Sequence, residues 1–168
     1  MIPTFWIWLI FGIKTAPSGL SSLVNKWLIV HVICAFGLLV FLRVDAYTFA
    51  AKTLFPAASI LVSMSIAWTA RAAAIFQDKE LRDRLFSDER PAEDYVYGYQ
   101  LSLLIVIIVV CYTAVMSTGG LDVVIFSPNI DYRISAFTLF LLLSLGIREC
   151  WGAINFSNML SLLQFRSR

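Results

Sequence analysis

The sequence predicts an all-α integral membrane bundle of four transmembrane helices, with an N-terminal interfacial helix and a helical cytoplasmic extension of the second span. Three observations lead there. Of the 168 residues, 60% are hydrophobic and only 14% are charged, against about 45–50% and about 25% in soluble domains. The mean hydropathy is +0.81. The apolar residues also run in continuous blocks rather than the alternating segments of a membrane barrel. Such a chain is neither a soluble globular enzyme nor a disordered tail, because disorder needs low hydrophobicity and high net charge. The whole length, 1–168, reads as one transmembrane domain.

The first apolar run, Phe5 to Ile13, is too short to span, since a crossing needs about 20 residues. No Lys or Arg precedes it and Lys14 follows, the reverse of a secretory signal. Trp6, Trp8 and their Phe neighbours suit a helix lying at headgroup level, and a re-entrant helix packed on the bundle is the alternative. The four expected spans are 27–42, 53–70, 96–121 and 134–163. The third is rich in Val and Ile, a strand signal in water, but in lipid only helices and closed barrels satisfy the backbone.

Orientation follows from the loop cations. With both ends of the chain cytoplasmic, the inside holds Lys14, Lys26, Arg71, Lys79, Arg82, Arg84, Arg90, Arg166 and Arg168. The outside holds only Arg43, Lys52 and Arg133. Tyr95, Tyr97 and Tyr99 mark where the third span enters the membrane. Gly119, Gly120, Pro128 and Asn129 supply turn chemistry to the loop before the fourth.

The expected cytoplasmic hairpin, 71–95, holds half of all the charged residues between Arg71 and Asp94. Asp78 with Arg82, Lys79 with Asp83, and Glu80 with Arg84 are i, i+4 pairs, each worth about 0.2–0.5 kcal/mol on an exposed helix. From Thr53 to Phe86 a continuous helix would measure about 51 Å, so its last turns project into the cytosol until Pro91 breaks it. The hairpin is either simply solvated or a docking surface for a cytosolic protein. In the second case Phe76, Leu81, Arg82, Arg84, Leu85 and Phe86 are its contact residues.

Polar groups inside the spans are the other pointer to function. Arg148 and Glu149 interrupt the fourth span, and a charge near a helix centre costs about 2.5–3.5 kcal/mol on insertion scales. Neighbouring residues point about 100° apart, so the two need not pair. Ser144, Arg148, Trp151, Asn155 and Asn158 are spaced four and three apart, which sets them on one helix face. This seam reads as inter-helix glue, as a pore wall, or as snorkelling near the cytoplasmic end. Ser59, Ser63 and Ala67 in the second span form a small-residue face suited to close helix approach. Packing of spans two and four through these faces, within or between protomers, is expected.

His31 stands alone and reads as a packed, hydrogen-bonded residue. Cys34, Cys111 and Cys150 are far apart in sequence and suggest neither disulfides nor zinc ligation. The Asn155-Phe156-Ser157 acceptor sequence lies in a span and is expected to be silent. No catalytic set, phosphate loop, metal site or cofactor site is apparent, so no cofactor is expected and the protein reads as non-enzymatic. A net charge of +2 gives no basic face for direct nucleic-acid binding.

The composition favours an oligomeric membrane subunit that senses an event and recruits or regulates a cytosolic partner. A homo-oligomeric pore lined by the fourth span is the alternative. Across the whole chain, the size, the four spans and the short charged loop from Asp78 to Arg90 resemble the membrane subunit of Kiwa, a two-component bacterial phage-defence system. That resemblance implies an inner-membrane oligomer that detects infection and works with a DNA-binding cytosolic subunit. It carries no residue roles.

Overall fold

The computed structural model describes residues 4–12, 19–42, 44–76, 92–120 and 125–167. Among them the chain is helical, with no strand. Helix α1 spans Phe5–Phe11, α2 Gly19–Leu23, α3 Lys26–Phe41 and α4 Ala46–Phe49. A π-turn over Ala50–Leu54 joins α4 directly to α5, Phe55–Phe76. Helix α6 spans Ala92–Ser117 and α7 spans Pro128–Ser167.

Local chemistry sets the boundaries. The Asn25 carboxamide accepts the Trp27 N–H at 2.9 Å and caps α3. The Asp45 carboxylate accepts the Thr48 N–H at 2.8 Å and caps α4. The π-turn sits just ahead of Pro56. A proline removes one helical N–H and crowds the carbonyl four residues back, and widening the turn relieves that crowding. Phe55 N–H then bonds to the Ala50 carbonyl, five residues back. Helix α6 closes on Gly119 and Gly120, whose φ angles of 100° and 85° suit residues without a Cβ. The Gly120 N–H bonds to the Val115 carbonyl at 3.0 Å, satisfying the helix end.

Two helices are long and apolar enough to cross a membrane, α6 over Tyr95–Ser117 and α7 over Pro128–Met159. Helix α3 and the segment Ala46–Ser63 reach that standard together, as a pair bent by 111°. The chain is thus that of a membrane protein. Ile33, Phe36, Ile107 and Ile147, all exposed, suit contact with lipid.

Helix α7 is the element on which α3, α5 and α6 all pack. One core joins α3, α4, α6 and α7 through Ala35, Ala46, Ala50, Met116, Ala136, Leu139 and Phe140. Its four alanines let backbones approach closely. At that end the Tyr132 hydroxyl takes the Ala46 N–H at 2.9 Å and donates to Asp45 Oδ1 at 3.1 Å. The Tyr132 ring meets Tyr47 edge to face, and Tyr112 donates to the Ser135 carbonyl.

The opposite end is built around Trp8, which packs with Leu101, Ile105 and Val109. Trp8 is only 3% exposed, so one face of α1 is packed on α6. Trp6, Ile7, Ile10 and Phe11 on its remaining faces stay exposed. Gly19 allows the approach, since a Cβ there would meet the Trp8 ring at 2.5 Å.

Two outcomes follow. Trp8→Ala should cost about 3 kcal/mol or more and free α1, seen as faster amide exchange over 5–11 with protection of α6 and α7 retained. The bonds from Thr48 and Tyr132 hold the Asp45 carboxyl below its ordinary value of 3.8. A depressed carboxylate pKa stabilises the fold above the unfolded value, and the benefit is lost as pH falls through the folded one. The α3–α4 junction should therefore loosen at pH below 3.8, with Asp45→Asn removing this acid sensitivity in a proteolysis or exchange assay.

A candidate site between three helices

The strongest polar feature lies where α3, α6 and α7 meet. Glu149 on α7 accepts the Ser102 hydroxyl of α6 at 2.6 Å through Oε2. Its Oε1 accepts Arg148 Nε at 2.9 Å and Nη2 at 2.6 Å. One turn earlier on α7, Ser144 Oγ hydrogen-bonds His31 Nδ1 of α3 at 2.7 Å. Arg148 and Glu149 keep 25% and 14% of their side-chain surface. Arg148 Nη1 is buried with no hydrogen-bond partner among the described residues.

Along α7, Arg148 lies about 24 Å from Tyr132 and one turn short of Trp151. The pair therefore sits inside the apolar stretch near its Trp151 end. There a lone charge would be costly, and two guanidinium N–H groups donating to one carboxylate oxygen offset most of that cost. Adjacent positions pair because the long guanidinium folds around the helix to the carboxylate that Ser102 orients. Helical spacing left the pairing of Arg148 and Glu149 open, and in the structure the two do pair.

Ser144 and Arg148 thus belong to an internal cluster, whereas Trp151, Asn155 and Asn158 are exposed. Ser144 and Arg148 turn inward to His31 and Glu149, and among the described residues no such bond reaches the other three. On α5, Ser59, Ser63 and Ala67 are exposed as well. Their hydroxyls are satisfied locally, Ser59 by the Pro56 carbonyl at 2.6 Å and Ser63 by the Ser59 carbonyl at 3.0 Å. Within one chain, α5 and α7 do meet, but through a different face. Ala58 and Ser65 are buried, while Leu61 and Trp68 line an apolar groove of about 380 Å³ with Gly146, Ile147 and Trp151 of α7. The bulky face wins because it offers more dispersion contact than the serine stripe.

Sequence reasoning placed His31 as a packed, hydrogen-bonded residue, which the Ser144 contact bears out. It missed Ser102, a hydroxyl in a Val/Ile-rich span. The usable signal was its position at the end of α6 next to the tyrosines, level with Glu149. Beside Ser102, a hollow of about 270 Å³ is walled by Tyr95, Tyr99 and Phe156, with Tyr95 and Phe156 stacked at 6.3 Å. Of the hairpin contacts, Phe76 is the last residue of α5. Leu81, Arg82, Arg84, Leu85 and Phe86 lie outside the described residues.

No family model, curated protein or solved structure matches this chain.

Arg148→Gln should strand a buried carboxylate and destabilise by about 3 kcal/mol, the low end for a broken buried pair. Adding Glu149→Gln should restore most of that loss. Thermal unfolding of the two single variants and the double variant in detergent measures the coupling.

Proposed function

We propose that this chain is a non-enzymatic membrane subunit that assembles with copies of itself and recruits or regulates a cytosolic protein through the hairpin 71–95. The observation that carries the reading is the division of polar groups. Arg148, Glu149, Ser102, Ser144 and His31 are used inside the chain to join its helices. Asn155, Asn158, Ser59 and Ser63 face outward, where a second copy can meet them.

The reading includes four crossings with both ends of the chain cytoplasmic. Contacts along α7 support it. His31 meets Ser144 and Ala46 meets Tyr132, so α3 runs antiparallel to α7. Phe49 then packs on Phe140, and Trp68 shares a groove with Trp151, so α4–α5 run back alongside it. The loop cations favour the Trp151 end as the inner one, on the same side as the charged segment between α5 and α6. The likeness to the Kiwa membrane subunit supplies the setting, an inner-membrane detector of infection with a DNA-binding cytosolic partner. The pore alternative has less support, because Arg148 is turned into its own chain.

Cysteine-accessibility mapping should find Glu80→Cys reactive only from the cytoplasmic side and Val123→Cys only from the outer side. The opposite result, or an odd number of crossings, would overturn the topology. The product of an adjacent gene should co-purify with the intact chain, and Leu81→Asp with Leu85→Asp should reduce recovery about tenfold. Equal recovery would remove the docking role.

A further inference from the structure

From Trp151 onward, through the end of its apolar span and past it, α7 carries a stripe that is exposed among the described residues. The helix has 40 residues, about 60 Å at 1.5 Å per residue, against a hydrocarbon core of about 30 Å. From Tyr132 to Trp151 is about 28 Å, so residues 152–167 run about 24 Å further. Trp151, Asn155, Asn158, Leu162 and Phe165 follow one another at intervals of four, three, four and three. All five are exposed, Leu162 at 65% and Phe165 at 82%. These last two lie past Met159, where the apolar span ends. The interval pattern is that of alternating d and a positions of a heptad, with Asn155 and Leu162 at a.

We propose that this stripe is a parallel two-helix seam with a second copy of the same chain, a proposal that rests on the homo-oligomer reading above. The membrane argues for that occupant. Copies inserted in one bilayer share orientation and depth, so a second α7 presents the same stripe in parallel and in register. Asn155 then faces Asn155. A carboxamide carries both donors and acceptors and can therefore pair with its own copy. A single Asn at an a position is also a known device for setting register. No ionisable side chain lies on the stripe, so like charge does not oppose the pairing. A lipid surface would cover Leu162 and Phe165 but leave both carboxamides without partners.

The test uses the full chain in native membranes, with Cys34, Cys111 and Cys150 replaced by Ala. Single cysteines are then placed along 152–167 and along α5, and oxidised. Asn155→Cys, Asn158→Cys, Leu162→Cys and Phe165→Cys should give dimer bands at least fivefold stronger than Leu160→Cys and Gln164→Cys. Asn155→Asp, made with the Leu162→Cys reporter, should weaken that band about tenfold by setting like charges opposite each other, with native helicity and elution retained. A flat profile over 152–167 overturns the seam. If dimers form instead through Ser59→Cys or Ser63→Cys, the seam falls while the oligomer reading survives. If no position cross-links and native mass spectrometry finds a monomer, both fall. Quenching of a fluorophore at Leu162→Cys by spin-labelled lipid, without cross-linking, puts the stripe on the bilayer and also overturns the proposal.

Discussion

Inside a bilayer there is no water to satisfy a polar group, and the architecture follows from that constraint. Backbone amides are paired within helices, and where Pro56 breaks the pattern a π-turn restores a bond from Phe55 to Ala50. Serine and threonine hydroxyls on the helices bond back to carbonyls of their own turn, as Ser65 does to Leu61 and Thr138 to Ile134. The ionised groups are too demanding for such local solutions, and they draw on a hydroxyl of another helix as well. Arg148 and Glu149 are placed together, and Glu149 takes a further bond from another helix.

That arrangement makes α7 the organising element. Its polar residues reach α3 through Ser144 and α6 through Glu149, while its apolar residues Ala136, Leu139 and Phe140 hold the tyrosine-capped end. The two ends of the bundle are stabilised differently. One is a hydrogen-bonded set centred on Tyr132. The other is an aromatic cluster in which Trp8 and Phe5 pack around Tyr97 and Phe156 stacks on Tyr95. Each closes off a polar–apolar boundary, the place where amphipathic rings are favoured.

The same economy separates structural from functional polarity. Groups consumed in joining helices are poor candidates for meeting a substrate, an ion or a partner. Exposed carboxamides such as Asn155 and Asn158 are better ones, because they face outward. This directs attention away from Arg148, the most conspicuous residue in α7, and towards the outward face that follows it.

Composition and patterning were enough to read a helical membrane protein, because apolar blocks of span length permit little else in lipid. They also located the aromatic boundary at Tyr95–Tyr99, the turn at Gly119 and Gly120, and His31 as a packed residue. Helical spacing alone could not say which of two stripes on α5 faces inward. Ser59–Ser63–Ala67 and Ala58–Leu61–Ser65 are both periodic, and the choice depends on the neighbour they meet. It could not join Ser102 to Glu149 either, since the two are 47 positions apart and share only a depth in the membrane. Nor could it show that α1 packs on α6 through Trp8, or that α2 closes on the Trp8 ring where Gly19 has no side chain. The residue types set which groups must be satisfied; the packing of α3, α5 and α6 on α7 decided who satisfies whom, because that is a matter of distance between helices and not of order along the chain.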